Sequence, residues 1–335
     1  ARVLARGLKQ DISFETKIEN NEKVLINNQF IGNLKGLKLE LDFKVGDLET
    51  DIKSLKKAAR QNVSPEISKR IKQIIEGKQI YLKEDRKIYW NNFPIAILAK
   101  GADYLSPELN LIIDDIVEND EKFKLHAFLK KWLDKKIVDE LDSLLKLKSI
   151  NSVDAKIRAL SYQLYENNGV VKREEVLDII KNLGQDERKT LRNLGVKFGK
   201  YHIFLFKLFK PNVVSLRILL WKNFNGEDLN LHPPTFGLNF VNDVKYKNKK
   251  FMLLCGFEKF DSFFIRIDIL ERLFIEIINS SESKSDKIKL IPKMLNLLGC
   301  NKESFIKVIK LMGYKVFDEK NETFIKYKPF KKIKK

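Results

Sequence analysis

Cysteine and histidine are scarce in this sequence, and their scarcity argues against both a disulfide framework and a structural zinc site. The two cysteines, Cys255 and Cys300, lie far apart in the chain, which rules out a disulfide framework. The three histidines, His126, His202 and His232, show no ligand spacing typical of zinc. We therefore expect no metal in this chain and a reducing, cytoplasmic location.

Long apolar runs and catalytic motifs are also missing. No stretch approaches about 18 uncharged apolar residues, so we expect no membrane segment and no membrane partner. The motifs GxxxxGKS or GxxxxGKT, GxGxxG, HExxH and GxSxG do not occur. We expect Asp114, Asp115 and Asp268 to be solvated or ion-paired, and His202 to be a satisfied histidine of the core or its edge. The chain by itself therefore carries no convincing catalytic residue.

Positive charge is abundant. The chain has 64 Lys and Arg against 45 Asp and Glu, a formal net charge of +19. This excess favours a polyanionic partner, nucleic acid first of all. Because the sequence is rich in Lys, Ile and Asn together, a coding bias is an alternative source of part of the excess.

The length of 335 residues, with 44% hydrophobic content, predicts two or three domains. The polar loop Asn225–Pro234 and the change of pattern along the chain favour divisions at 1–150, 151–230 and 231–335. The last division is expected to hold a strand pair, a winged-helix-like unit and a basic tail. The chain begins on Ala1 with a basic segment that looks like part of a helix. We expect a fragment of a longer polypeptide.

The first 150 residues contain a repeat with an offset of 64 positions, signalled by Asn27-Asn28 and Asn91-Asn92. Each pair of asparagines is expected to form the turn of a β-hairpin. The two hairpins are Lys23–Leu34 and Lys87–Leu98. Chance similarity of two hairpins is the alternative.

Each hairpin is followed by a further predicted strand, Leu37–Phe43 in the first copy and Leu109–Asp114 in the second. A helical region comes next in both copies. The predicted helix of the first copy has the apolar stripe Ile67, Ile71, Ile74 and Ile75. The predicted helix of the second copy has the stripe Phe128, Leu129, Trp132, Leu133 and Ile137. Pro65 is expected to break the chain before the first of these helices.

The segment Leu194–Trp221 is the densest apolar and aromatic run. Its alternation predicts a turn at Gly199 followed by a buried strand, and then a helix that begins near Pro211. Short helices are predicted before it, around Ile157–Tyr165, Val176–Ile180 and Gln185–Arg188. A core strand and helix explain the segment by themselves, while a rim of lysines for phosphates is the functional interpretation.

The C-terminal part predicts three helices, Ile267–Ile278, Ile291–Leu298 and Lys302–Met312, the last with Asn301 as its N-cap. Two strands, Tyr314–Phe317 and Thr323–Tyr327, follow. This is the order of a winged helix, a fold used for nucleic acid and also for packing alone. The whole chain is thus predicted to be α+β, with tandem β-hairpin/helix units, a central helical and strand unit, and a C-terminal winged-helix-like unit.

Five blocks of the sequence together resemble one family. They read LxRxLKQ at Leu4–Gln10, WNNFPIAIL, LGVKFGKYHIFLFKLFKP, RIDILERL and LLGCNKESFIKVIKLMGYKV. The family is that of bacterial DExH-box RNA helicases similar to the mitochondrial degradosome RNA helicase, in the long region that follows the motor. The resemblance implies an ATP-dependent RNA helicase whose motor, with its ATP and magnesium, would lie upstream of Ala1.

From these observations we expect an accessory RNA-binding and scaffolding C-terminal region, without a cofactor in this chain. Its partners would be single-stranded or structured RNA and the motor domains of the same polypeptide. A docking platform for a protein or ribonucleoprotein and a winged-helix DNA-binding protein are the alternatives. The predicted RNA-binding residues are Lys197, Lys200, Tyr201, Lys207, Lys210, Lys302, Lys307, Lys310, Lys326 and Lys328. Phe198 would join Tyr201 in base stacking only if exposed.

Overall fold

The computed structural model describes residues 16–19, 22–26, 28–42, 49–77, 79–151, 154–226, 230–244, 246, 248–280, 287–319 and 322–327. The chain is α+β, as predicted, and all of the strand pairings described are antiparallel. It divides into two compact units. The first comprises Ala1–Ile137 with Leu219–Leu229, and the second Val138–Ile218 with Asn230–Lys335.

Two sheet-and-helix segments in tandem supply most of the first unit, and the helix of the second segment continues past Ile137 into residues assigned to the second unit. The first segment contains β1 (Thr16–Ile18), β2 (Lys23–Ile26), β3 (Gln29–Lys35), β4 (Lys38–Leu41) and helix α1 (Glu49–Glu76). The second contains β5 (Ile80–Leu82), β6 (Lys87–Trp90), β7 (Phe93–Asp103), β8 (Ser106–Leu111) and helix α2 (Asn119–Lys148). In both sheets each strand pairs with the next along the chain, so each is a four-stranded meander.

Strand register confirms the repeat. In the first copy Lys23 pairs with Asn33 and Leu25 with Phe30, and in the second Lys87 pairs with Ile97 and Tyr89 with Pro94. Every one of these positions is displaced by 64. A register shift also falls at the same place, between Val24 and Leu25 in one copy and between Ile88 and Tyr89 in the other. Asn28 and Asn92 both have positive φ, as the predicted turn requires.

The helices repeat as well, at an offset of 70 rather than 64, because the β7–β8 hairpin is six residues longer than the β3–β4 hairpin. At this offset the buried side chains of α1 coincide with those of α2. The coincident pairs are Ala59 and Leu129, Val63 and Leu133, Ile67 and Ile137, Ile71 and Leu141, and Ile74 and Leu144. The two apolar stripes were matched from the sequence at a smaller offset, so that alignment of the two helices is wrong by several residues.

Pro65 does not break the chain, contrary to prediction. It lies inside α1, which continues without interruption from Glu49 to Glu76. Proline removes one backbone N–H and strains the preceding turn. The helix persists because Val63, Ile67 and Ile74 are fully buried, so tertiary packing stabilises it more than local propensity disfavours it.

The remaining elements form two groups, which belong to the second unit except for residues 219–225 at the end of the first group's last helix. The first group is α3 (Ala155–Glu166), β9 (Val170–Lys172), α4 (Leu177–Lys181), α5 (Gln185–Asn193), β10 (Val196–Phe198), β11 (His202–Leu205), a 3-10 turn (Phe206–Phe209) and α6 (Pro211–Asn225). The strands pair in the order β10-β11-β9. The buried strand after Gly199 and the helix from Pro211 are confirmed, whereas β9 was not predicted.

The second group contains β12 (Phe240–Asn242), α7 (Lys249–Leu254), β13 (Phe257–Phe260), β14 (Phe263–Arg266), α8 (Ile267–Asn279), β15 (Ile288–Lys289), α9 (Pro292–Leu298), α10 (Lys302–Leu311), β16 (Tyr314–Glu319) and β17 (Glu322–Tyr327). The three predicted helices and the final strand pair are confirmed, and Asn301 Oδ1 accepts the N–H of Ser304 at 2.8 Å as an N-cap. β15 was not predicted. It pairs with β17 in a sheet of order β15-β17-β16.

One core joins most of this group. Ile265, Leu270, Leu273, Phe305 and Ile309 belong to a single buried cluster that draws on β14, α8 and α10. Burying such side chains stabilises a fold by about 1.5–3 kcal/mol each, so α8 is firmly anchored. The same helix carries Glu271, the residue that organises the candidate site.

Candidate nucleic-acid interface

A single carboxylate holds the turn between β10 and β11. Glu271, a buried residue of α8, accepts hydrogen bonds from three successive backbone N–H groups. They belong to Lys200 at 2.6 Å, Tyr201 at 2.8 Å and His202 at 2.8 Å. Gly199 leaves room for the carboxylate, since a Cβ there would lie 2.4 Å from Glu271 Cδ. Charge-assisted bonds of this kind are strong, so the turn that carries Lys200 and Tyr201 is fixed.

His202 lies buried between two carboxylates. Its Nε2 is 3.0 Å from Glu258 Oε2 and its Nδ1 is 3.5 Å from Glu271 Oε1. Burial by itself lowers the pKa of His202, but the contacts with Glu258 and Glu271 outweigh burial and raise the pKa above its usual 6.5. His202 is therefore buried and hydrogen-bonded through Nε2, as its interpretation from the sequence requires, whereas Nδ1 faces Glu271 without forming a hydrogen bond of normal geometry.

Glu258 completes this group from β13. Its Oε1 lies 3.3 Å from Lys172 Nζ, and its Oε2 faces His202. Burial raises the pKa of Glu258, but the contacts with His202 and Lys172 prevail and hold the pKa below its usual 4.5. Ion pairs and hydrogen bonds between these side chains thus connect three strands, β9, β11 and β13, with helix α8.

A cavity of about 420 Å³ opens beside this group. Its lining contains four cationic side chains, two carboxylates, three apolar or aromatic side chains and His202. In that order they are Lys172, Arg173, Lys200 and Lys259; Glu174 and Glu258; Leu177, Tyr201 and Phe260; and His202. The cavity is therefore electropositive, with an apolar and aromatic wall.

Most of the cations around the cavity are held in place. Arg173 Nη1 donates to the carbonyl of Gly199 at 2.8 Å. Lys259 Nζ lies 3.0 Å from Asp243 Oδ2. Lys200 is exposed, with its Nζ 5.7 Å from the centroid of the Phe274 ring. A group of this kind presents positive charge in a fixed arrangement, which suits phosphate oxygens.

Of the residues predicted from the sequence, Lys200 and Tyr201 both line this cavity. The other predicted lysines that the structure describes are exposed, but they do not line it. They are Lys197 on β10, Lys207 and Lys210 at the 3-10 turn, Lys302, Lys307 and Lys310 on α10, and Lys326 on β17. Lys328 lies outside the described residues. The predicted set is thus spread over several elements rather than gathered at one site.

The aromatic residues of this segment differ in how much of each ring is exposed. Tyr201 is half-buried, with its ring edge-on to Phe274 at 5.8 Å. Phe198 is half-buried beneath Arg188 and Arg192, whose guanidinium groups lie 5.9 and 5.7 Å from its ring centroid. Phe206 is 52% exposed beside Lys207, and it offers a freer ring for stacking than either.

Sequence reasoning missed Lys172, Arg173, Glu174, Lys259 and the two glutamates that fix the site. Only the basic pair Lys172-Arg173, directly after the apolar Val170 and Val171, offered a signal. Glu258 carries no motif, and Glu271 lies within the block RIDILERL without any spacing that would assign it this role.

The expected pairing of other acidic residues is also observed. Asp114 is buried, with its Oδ1 3.2 Å from Arg60 Nε, and Asp268 Oδ2 lies 2.6 Å from Arg266 Nη2. No cluster of three or more His, Cys, Asp or Glu side chains suited to a metal ion occurs in the part of the chain that the structure describes. Within the same residues, no helix combines the length and the apolar character needed to cross a bilayer.

Comparison of the chain with protein-family models, with curated proteins and with solved structures finds no match in any of the three.

Proposed function

We propose that this chain is the accessory RNA-binding and scaffolding region of an ATP-dependent RNA helicase similar to the mitochondrial degradosome RNA helicase. The helicase motor, with its ATP and magnesium, belongs to the same polypeptide in this proposal. One observation carries the RNA-binding part. Lys200 and Tyr201, selected from the sequence, line the same cavity as Lys172, Arg173 and Lys259.

The charge of the chain supports the same proposal. A net charge of +19 attracts polyanions over long range, and the fixed cations around the cavity receive the phosphates at short range. In this proposal the exposed lysines of α10 and of the 3-10 turn supply further phosphate contacts outside the cavity. Because lysines contact phosphates without reading bases, binding is expected to be largely independent of sequence.

The way the site is built supports the RNA-binding part as well. Glu271 on α8 and the turn Gly199–His202 belong to different elements, yet three hydrogen bonds fix one to the other. The cationic surface is therefore preorganised before RNA arrives, which lowers the entropic cost of binding.

Charge reversal at matched positions tests the RNA-binding proposal. Lys200→Glu places a negative charge at the cavity, whereas Lys189→Glu makes the same change at an exposed lysine of α5 that does not line it. We expect Lys200→Glu to weaken binding of a labelled single-stranded RNA by at least about tenfold, equally for all sequences, and Lys189→Glu to weaken it by less than about threefold. Fluorescence anisotropy measures both.

The two alternatives predict different results in the same assay. A protein-docking platform would bind RNA weakly and would respond equally to both substitutions. A winged-helix DNA-binding protein would prefer one duplex sequence over others by several orders of magnitude. Equal loss for all single strands, and only at Lys200, distinguishes the RNA-binding region from both.

A further inference from the structure

The cavity is larger and more varied than a site for phosphate alone requires. Its volume of about 420 Å³ falls within the range of about 300–1,000 Å³ typical of small-molecule pockets. Phosphate is recognised by a few donors on a surface and needs no apolar wall. Here Leu177, Tyr201 and Phe260 form such a wall. The volume and the lining therefore suit a partly apolar group attached to an anion.

The wall is held in place. Tyr201 contacts Phe274 edge-on, its hydroxyl lies 3.4 Å from the carbonyl oxygen of Met312, and its backbone N–H is bound by Glu271. Phe260 belongs to β13, where it pairs with Phe263 of β14. Aromatic side chains fixed in this way stack on nucleobases at little conformational cost.

The polar groups of the cavity are of both signs. A carboxylate repels phosphate, so Glu174 and Glu258 are unsuited to a site for phosphate alone. Carboxylates do accept hydrogen bonds from the amino and imino groups of nucleobases, while lysine and arginine donate to base carbonyl and ring nitrogen atoms. Glu258 is already positioned by His202 at 3.0 Å and Lys172 at 3.3 Å. One nucleotide combines a base for these groups with a phosphate for Lys200 at the rim.

We propose that this cavity holds one nucleobase of the bound RNA strand, with its phosphate on the cationic rim formed by Arg173, Lys200 and Lys259. The inference rests on the proposed RNA-binding function and adds base capture to it. A strand would then be anchored at one unstacked base and held elsewhere by phosphate contacts alone.

Removing bases without removing phosphates tests base capture. A labelled 12-nucleotide RNA is compared with the same strand made entirely of abasic nucleotides, by anisotropy at one fixed salt concentration. We expect the abasic strand to bind the wild-type chain about 5- to 150-fold more weakly, the range for loss of one stacked base. Equal affinity for the two strands would overturn base capture and leave phosphate binding intact. Failure of both strands to bind would overturn the proposed function itself.

Variants locate the effect in the cavity. Leu177→Ser removes an apolar wall residue that is 38% exposed, and Leu238→Ser makes the same change at a residue that is 45% exposed and does not line the cavity. Leu177→Ser should abolish most of the difference between the two strands, while Leu238→Ser should preserve it. Phe260→Leu is a second wall variant, with the same expected result, should Leu177→Ser not fold. A difference that survives in a folded wall variant would place base recognition elsewhere and overturn the assignment to this cavity.

Discussion

The α-carbon of Gly199 lies so close to the carboxylate of Glu271 that a Cβ added to it would be 2.4 Å from Glu271 Cδ and 2.6 Å from either carboxylate oxygen. The two residues are 72 positions apart in the sequence. Their closeness is what allows Glu271 to reach the N–H groups of Lys200, Tyr201 and His202. The absence of a side chain at one position thus permits the hydrogen bonds made by the other.

Gly199→Ala is expected to lower the free energy of unfolding by about 1–3 kcal/mol, because the added methyl group displaces a buried carboxylate. Glu271→Ala should lower it by a comparable amount, since three N–H groups lose their acceptor. In the double variant the methyl group no longer meets a carboxylate. The double variant should therefore lose clearly less stability than the sum of the losses in the two single variants. Urea denaturation of the four proteins measures the coupling. Strict additivity would mean that the contact does not constrain the turn.

His202 predicts a pH dependence of stability. Its folded-state pKa is raised, so its contribution is fully present below the usual value of 6.5 and is lost as pH rises through the higher folded pKa. Glu258 has a lowered pKa, so its contribution is present above 4.5 and is lost as pH falls through the lower folded pKa. Stability from this pair should therefore be greatest between these two ordinary values and should decline at alkaline pH.

The control for that pH dependence is His202→Gln, which keeps a polar side chain but does not titrate. The difference in free energy of unfolding between wild type and His202→Gln should shrink as pH rises above the ordinary value of 6.5 and through the raised folded-state pKa of His202. Urea denaturation at a series of pH values gives this difference directly. A difference that is constant across the range would show that His202 remains in one protonation state.

The repeated unit supplies a second test of stability, at Asp114. This buried carboxylate accepts the N–H of Leu39 at 3.3 Å and lies 3.2 Å from Arg60 Nε. Asp114→Ala should cost about 1–3 kcal/mol, because a buried N–H loses its acceptor. Asp115→Ala removes the exposed neighbouring carboxylate and should change stability by less than about 0.5 kcal/mol. Similar effects of the two substitutions would mean that Asp114 does not join the two copies of the repeat.

Much of this fold was predictable from local patterns. The Asn-Asn turns located both hairpins because asparagine tolerates positive φ, and the 3.6-residue periodicity located the C-terminal helices with their caps. Pro65 was misjudged because proline is a local signal, while burial of Val63 and Ile67 is a tertiary one. The short strands β9 and β15 hold too few residues to show an alternation.

The candidate site was predictable only in part. Lys200 and Tyr201 were identifiable because they lie within a dense aromatic and cationic segment. The cavity that they line also requires Lys172 and Glu258, which lie on different strands far apart in the sequence. Side chains brought together by tertiary folding leave no periodic or spaced pattern, so neither the cavity nor the role of Glu271 follows from one sequence.

A further prediction concerns an activity that this chain should lack. The sequence contains no glycine-rich loop that would cradle nucleotide phosphates for transfer, so this chain should not hydrolyse ATP in isolation. Phosphate release from ATP should equal that of a buffer blank, with or without RNA. Saturable turnover that survives repeated purification would reveal a catalytic site in this chain.

The salt dependence of RNA binding tests the proposed function most directly. Affinity for a labelled single-stranded RNA is measured by fluorescence anisotropy between about 50 and 200 mM salt, for wild type, for Lys200→Glu and for a variant with Lys302, Lys307 and Lys310 all changed to Gln. Phosphate contacts release counterions, so the wild-type affinity should fall by orders of magnitude over this range. Each lysine that contacts a phosphate should reduce the slope of log affinity against log salt by about 1 when it is removed. An affinity that does not change with salt, and that all of these substitutions leave unaltered, would contradict RNA binding and favour a surface for docking a protein.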